Sequence, residues 1–124
     1  FYGVNHDDIE DPDKIIGSAS CTTNAIVPVL SAIDNEYKID NGHVETVHAY
    51  TNDQNLIDNY HSKNRRGRAA ALNMVLTETG AASAVSQVLP NLKGKIDGSA
   101  IRVPTPNVSL VDFKFYSKRD SSKD

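Results

Sequence analysis

The chain has little of several features that define particular protein classes. One cysteine among 124 residues excludes an internal disulfide framework and fits a reducing compartment. No apolar run reaches the roughly 18 to 20 residues of a membrane-spanning helix, and no signal segment opens the chain. A net charge of −3 gives no reason to expect nucleic acid or an anionic membrane surface as a partner. We therefore expect a globular cytoplasmic protein without such partners.

The spacing of apolar residues predicts both helices and strands. An apolar stripe at helical spacing predicts a helix from Cys21 to about Glu36, bent at Pro28, and a second helix is predicted over residues 80–89. The stripe of the first helix consists of Ile26, Val29, Leu30, Ile33 and Tyr37. Strands are predicted over residues 1–4, 43–50, 100–103 and 108–116. One-sided apolar strands and two helices together predict a sheet covered by helices on one face.

Cys21 stands where a predicted helix begins. Ser20 is then a natural N-cap, because its side chain can accept a hydrogen bond from an unpaired backbone N–H of the first turn. A thiol in that turn lies at the positive end of the helix dipole, which favours the nucleophilic thiolate. The alternative is that Cys21 is a small buried core residue.

Further residues suited to chemistry follow along the chain. His48, near the end of a predicted strand, is the candidate base or else a satisfied core histidine. Arg102 lies in an apolar strand and needs either an internal carboxylate or a bound anion. The basic residues 63–68 suit phosphate or carboxylate, or form a solvated loop. Thr79-Gly80 forms either an anion-accepting helix start or a simple cap. Together they suggest a thiol enzyme with a phosphorylated substrate.

Five motifs occur in order along almost the whole chain. They are residues 18–24 (SASCTTN), 47–54 (VHAYTNDQ), 65–68 (RRGR), 79–82 (TGAA) and 102–109 (RVPTPNVS). Together they resemble the catalytic domain of the phosphorylating glyceraldehyde-3-phosphate dehydrogenases of bacterial type. The resemblance implies an α+β fold with a mixed, largely antiparallel sheet. It also implies that residues 1–18 end the dinucleotide-binding domain and that residues 19–124 form a catalytic domain lacking its C-terminal part.

The resemblance implies a reaction as well. Cys21 would attack the substrate aldehyde with His48 as base, hydride would pass to NAD or NADP, and inorganic phosphate would release the thioester as 1,3-bisphosphoglycerate. The implied ligands of the substrate's phosphate are Thr51, Asp53, Arg66 and Arg102. The implied ligands of the attacking phosphate are Ser20, Thr22, Thr79 and Gly80. The resemblance further implies a homotetramer in which residues 51–68 lie near a neighbouring subunit's cofactor, and no metal site is expected.

The chain departs from the family pattern in ways that shape these expectations. It lacks the glycine-rich strand-turn-helix of a dinucleotide site and the family's C-terminal helix, so we expect the isolated chain neither to bind cofactor normally nor to be active. The absence of an initial Met fits a piece of a longer protein. Asn59-Tyr60 stands where many NAD-specific relatives have Leu-Pro, which leaves NAD and NADP open. Ala25 replaces a second cysteine without affecting the nucleophile.

Two other functions compete with this prediction. The first is an erythrose-4-phosphate dehydrogenase-like enzyme, whose loop also carries Tyr before His, as Tyr60-His61 does here. The motifs at residues 51–54 and 79–82 favour the glyceraldehyde-3-phosphate enzyme instead. The second is a non-catalytic phosphate-binding or assembly module, against which the presence of both Cys21 and His48 argues.

Overall fold

The computed structural model describes residues 1–10 and 15–122. Its helices and strands are α1 (Cys21–Tyr37), β1 (Ile39–Ala49), β2 (Val75–Glu78), α2 (Ala81–Val88), β3 (Ile96–Val103) and β4 (Ser109–Ser117). Two short 3-10 turns lie at His6–Asp8 and Pro90–Leu92. The four strands form one sheet in the order β2-β3-β1-β4. Helices and a four-stranded sheet in one chain confirm the predicted α+β class.

The chain divides into two compact units. The first unit comprises Phe1–His43, Gly80–Asp97 and Lys114–Asp124, and it contains both α-helices. The second unit comprises Val44–Thr79 and Gly98–Phe113, and it contains β2 and the long connection that follows β1. Within the described residues, no helix is both long and apolar enough to span a membrane.

Helix α1 provides the core of the first unit. It begins at Cys21 as predicted and buries Thr23, Ile26, Val27 and Leu30, while α2 packs against it. The prediction that Val29 lies in the buried stripe is wrong, since Val29 is 54% exposed. At 100° per residue, this position falls at the margin of the stripe, and the core takes its neighbour Val27 instead.

One prediction near the N-terminus needs correction. Residues 1–4 are not a strand, because the N–H groups of Val4 and Asn5 both donate to the carbonyl of Phe1, at 3.1 and 3.0 Å. Gly3 supports this turn with a left-handed φ of +78°. The predicted acidic loop that follows extends into residues 11–14, and the predicted polar tail includes residues 123–124; both ranges lie outside the described residues.

Strand β1 starts four residues earlier than predicted. Lys38 ends α1 in the left-handed conformation, with φ of 59°, and the N–H of Ile39 donates to Asp34 Oδ1 at 2.9 Å. The next residues continue as strand, because the N–H of Gly42 pairs with the carbonyl of Lys95 at 2.8 Å. Pairing across the sheet thus overrides the turn preference of Asn41-Gly42.

The second unit contains a strand that the sequence pattern does not reveal. Strand β2 has only four residues, which alternate between buried and exposed. It pairs antiparallel with β3, so that Val75 lies opposite Arg102 and Thr77 opposite Ala100. Four residues are too few for a period of two to stand out from chance. The predicted break at residues 104–106 between β3 and β4 is confirmed.

The packing of α1 predicts a sharp contrast between two neighbouring positions. Leu30 is 1% exposed and Val29 is 54% exposed. We expect Leu30→Ala to lower the free energy of unfolding by about 2–5 kcal/mol, because it leaves a cavity in the core. Val29→Ala, the matched control, should stay within about 0.5 kcal/mol of the wild type. Chemical denaturation of both variants measures this, and equal losses would show that the buried face of α1 is assigned wrongly.

Candidate active site

The thiol of Cys21 lies at the exposed start of α1. Cys21 is exposed, so the alternative that it is a buried core residue is wrong. The predicted N-cap is confirmed, because Ser20 is extended and its Oγ accepts the backbone N–H of Thr23 at 3.1 Å. The hydroxyl groups of Ser20 and Thr23 also lie 2.7 Å apart. The cap therefore fixes which residue occupies the first turn.

Asn24 holds the turn before Cys21, and our sequence analysis missed it. Its side-chain amide donates to the carbonyls of Ser18 and Ser20, at 2.7 and 2.9 Å. Between these two carbonyls, Ala19 has a left-handed φ of 57°, which costs a non-glycine residue about 1 kcal/mol. The spacing of four residues between Ser20 and Asn24 is the signal that could have identified this contact, because such residues are neighbours on a helix surface.

In the second unit, His48, Arg102 and Thr51 form one cluster. His48 is half-buried near the end of β1, and its Nδ1 lies 2.6 Å from the carbonyl oxygen of Ala49. Arg102 on β3 reaches the same place, with Nη1 3.1 Å from His48 Nδ1 and 3.3 Å from the hydroxyl of Thr51. The structure thus brings the predicted base together with two predicted phosphate ligands.

Arg66 is the centre of a second cluster in the same unit. Only 6% of it is exposed, and its guanidinium donates to Thr77 Oγ1 at 2.9 Å, to the Glu78 carbonyl at 3.1 Å and to Asp53 Oδ2. These bonds use three of the five N–H groups of an arginine. Arg66 therefore ties the beginning of the long connection to β2, and its predicted contact with phosphate remains a prediction.

The charges around Asp53 shift its protonation. Partial burial alone would raise the pKa of the Asp53 carboxyl, but the hydrogen bond and charge of Arg66, helped by Lys63 and His61, outweigh that effect. The pKa of Asp53 is therefore held below its ordinary value of 3.8. Asp53 is ionised at neutral pH and balances the charge of the buried guanidinium.

The two clusters share one face of the β2–β3 pair. Residues directly opposite each other in an antiparallel pair lie on the same face, and so do residues two apart on one strand. Val75 is opposite Arg102, and Thr77 is opposite Ala100, so Thr77 and Arg102 are diagonal neighbours. The partner of Arg66 and the side chain of Arg102 thus lie side by side, an arrangement suited to an anion beside Arg102.

The basic cluster seen in the sequence is divided in the structure. Arg66 is buried, whereas Lys63, Arg65 and Arg68 are exposed. Arg68 pairs with Asp58 at 3.0 Å, and both side chains are more than half exposed. The exposure of these three residues fits the solvated-loop alternative, and binding of an anion by the cluster stays a prediction.

The remaining predicted phosphate ligands lie at helix starts. Thr22 is half-buried in the first turn of α1, and Gly80 precedes α2 with its carbonyl accepting the N–H of Ala84 at 3.0 Å. Thr79 closes the second unit, while Gly80, Ser20, Thr22 and Cys21 belong to the first. Among the described residues, no group of three or more His, Cys, Asp or Glu side chains is arranged to hold a metal ion.

The first unit thus presents an exposed thiol at a capped helix start, and the second unit presents a cluster of arginine, histidine and threonine. The family model described as "Glyceraldehyde 3-phosphate dehydrogenase, C-terminal domain" matches residues 20–124. The chain belongs to the glyceraldehyde-3-phosphate dehydrogenase family, as the sequence motifs predict.

Individual relatives agree with this family. The chain is 69% identical over 109 residues, 88% of its length, to a glyceraldehyde-3-phosphate dehydrogenase-like protein of Pseudomonas aeruginosa. It is 54% identical over 121 residues, 98% of its length, to the glyceraldehyde-3-phosphate dehydrogenase of Zymomonas mobilis. A dehydrogenase of the same name from Haloarcula vallismortis is 54% identical over 90% of the chain. The matched parts span only 24%, 36% and 33% of these three relatives, respectively.

The lowered pKa of Asp53 predicts a pH-dependent contribution to stability. Because the folded state holds the pKa below 3.8, the stabilisation is fully present above that unfolded value and is lost as pH falls through the folded value. We expect Asp53→Asn to lower the free energy of unfolding at pH 7 by about 1 kcal/mol, since the carboxyl is half exposed. This difference should shrink below about pH 4.

Denaturation curves of wild type and variant from pH 7 to pH 3 test this prediction. Asp40→Asn is the matched control, because Asp40 pairs with Lys118 at 3.3 Å with both side chains more than half exposed. We expect the control to stay within about 0.5 kcal/mol of wild type throughout. A difference for Asp53→Asn that is as large at pH 3 as at pH 7 would contradict the lowered pKa.

Proposed function

We propose that the whole protein oxidises and phosphorylates glyceraldehyde 3-phosphate to 1,3-bisphosphoglycerate, with Cys21 as the nucleophile and His48 as the base. The observation that carries the proposal is the exposed thiol of Cys21 in the first turn of a helix whose start is fixed by Ser20. Membership of the family supports the identity of the aldehyde. We also propose that the whole protein works in the cytoplasm as a homotetramer.

The chemistry proceeds through a covalent intermediate on sulfur. The Cys21 sulfur attacks the aldehyde carbon and forms a hemithioacetal. His48 donates a proton to the oxygen that becomes the hydroxyl group and later accepts that proton as the base. Loss of a hydride from that carbon, with loss of the hydroxyl proton, leaves a thioester. An oxygen of inorganic phosphate then attacks the thioester carbonyl, the carbon–sulfur bond breaks, and the acyl phosphate leaves with Cys21 restored.

The described residues do not fit a dinucleotide. The β2–α2 connection, Thr79-Gly80, contains one glycine, whereas a dinucleotide fingerprint uses three for its turn, backbone approach and helix packing. We propose that residues 1–18 end a dinucleotide-binding domain and that residues 19–124 form most of the catalytic domain. NAD or NADP, held by the remainder of the protein, would supply the hydride acceptor.

The phosphate ligands divide into two proposed sets. We propose that Arg102, Thr51, Asp53 and Arg66 bind the substrate's own phosphate; Thr77, which accepts a hydrogen bond from Arg66, shares the face of β2 and β3 with Arg102. Arginine suits this task because its planar donors match phosphate oxygens in pairs. The proposed ligands of the attacking phosphate are Ser20, Thr22, Thr79 and Gly80.

Steady-state kinetics of the full-length protein test the proposal. With glyceraldehyde 3-phosphate, inorganic phosphate and either NAD or NADP, we expect Cys21→Ser to lower kcat by about 1,000-fold or more, because the nucleophile is lost. His48→Gln should lower kcat by about 100- to 10,000-fold. His43→Gln is the matched control, since His43 is exposed on the same strand, and it should leave kcat unchanged.

Other outcomes point to the competing functions. Faster turnover of erythrose 4-phosphate than of glyceraldehyde 3-phosphate would make the protein an erythrose-4-phosphate dehydrogenase. Absence of turnover with both aldehydes would favour a phosphate-binding or assembly module. Full activity of Cys21→Ser would refute the covalent mechanism directly.

A further inference from the structure

The ring nitrogen Nδ1 of His48 lies between a hydrogen-bond donor and an acceptor. The carbonyl oxygen of Ala49 is 2.6 Å away and accepts, whereas Arg102 Nη1 is 3.1 Å away and can only donate. A single imidazole nitrogen either carries a proton and donates or carries a lone pair and accepts. The two hydrogen bonds therefore exclude each other, and each belongs to a different tautomer of the neutral ring.

Nη1 of Arg102 has two further hydrogen-bond acceptors within reach. Its Nη1 lies 3.3 Å from the carbonyl oxygen of Ala49 and 3.3 Å from Thr51 Oγ1. The guanidinium is planar and rigid, so a hydrogen bond that moves one of its N–H groups also moves the others. Thr51 is exposed, which places the open side of this cluster where an anion can approach.

We propose that an anion bound by Arg102 and Thr51 selects the tautomer of His48. The anion draws Nη1 away from His48, and Nδ1 then carries the proton and donates to Ala49, which leaves the lone pair on Nε2. Arg102 is thus a positioning residue that acts through His48, in addition to binding phosphate. This inference rests on the proposed function, in which His48 is the base and Arg102 binds the substrate's phosphate.

The coupling gives the substrate's phosphate a part in the chemical step. Binding of an anion shifts the tautomer equilibrium only by the difference in its affinity for the two arrangements. The hydrogen bond to Ala49 also fixes the plane of the imidazole ring. A phosphorylated aldehyde would therefore favour the tautomer of His48 that can act as the base. The enzyme would turn over an aldehyde without phosphate with a lower kcat as well as a lower affinity.

Acylation of His48 by diethyl pyrocarbonate measures the position of the lone pair. This reagent attacks an imidazole nitrogen that carries a lone pair. Ala49 and Arg102 cover Nδ1, so the reagent reacts with His48 when the lone pair is on Nε2. In full-length protein at pH 7, we expect saturating inorganic phosphate to raise the acylation rate of His48 about fivefold, the factor that one hydrogen bond contributes. Mass spectrometry locates the label, with the exposed His43 as internal reference for loss of reagent.

Two variants separate tautomer selection from a simple effect of bound phosphate. Arg102→Met removes the competing donor, so His48 should react fast without phosphate and show no response to it. Thr51→Val keeps the shape of the side chain but removes the hydroxyl, so about fivefold more phosphate should be needed for the half-maximal effect. If His48 reacts in no state, the ¹⁵N chemical shifts of its ring report the tautomer with and without phosphate.

The outcomes are distinct from those that test the proposed function. Slower acylation with phosphate, or an unchanged phosphate response in Arg102→Met, would overturn the coupling even if Cys21 and His48 prove essential for turnover. Conversely, a phosphate-dependent tautomer in a protein that oxidises neither aldehyde would refute the function and leave the coupling standing. ¹⁵N shifts that show the same tautomer in both conditions would likewise overturn the coupling.

Discussion

A single hydrogen bond, from the backbone N–H of Thr23 to the hydroxyl oxygen of Ser20, decides where α1 begins. It therefore places Cys21 in the first turn, and the thiol is exposed there. Thr23 is itself 1% exposed, so the cap is anchored in the core of the first unit. Asn24 then holds the left-handed turn at Ala19 through two carbonyls. The hydrogen bonds of Ser20 and Asn24 to the backbone thus hold the turn in which the proposed nucleophile lies.

The second unit depends on a comparable constraint, the burial of one guanidinium. A charge removed from water requires an opposite charge and hydrogen-bond acceptors, and Arg66 obtains them from Asp53, from Thr77 and from a backbone carbonyl of β2. These contacts join the start of the long connection to a strand that neighbours β3. Arg102 on β3 lies on the same face as Thr77, the hydroxyl partner of Arg66 on β2.

The sequence predicts the helices of this fold better than it predicts which side chains contact each other. The helical period and the Ser20 cap locate α1 correctly because both signals are local. Arg66 could not be distinguished from Arg65 and Arg68, since only its contact with the four-residue β2 makes it different, and that strand has no readable pattern. Residues 1–4 have strand-like composition, yet the N–H groups of Val4 and Asn5 donate to the carbonyl of Phe1 in a turn. The family was predicted from five ordered motifs, and the comparisons confirm it.

The proposed function requires Cys21 to carry the acyl group of the substrate. Full-length protein can be mixed with glyceraldehyde 3-phosphate and the oxidised cofactor in the absence of inorganic phosphate, quenched in acid and analysed by mass spectrometry after digestion. If Cys21 is the nucleophile, a phosphoglyceroyl adduct will be found on the peptide that contains Cys21 and will disappear when phosphate is added before the quench. An adduct on another residue, or rapid turnover without any adduct on Cys21 at low phosphate, would show that Cys21 is not the nucleophile.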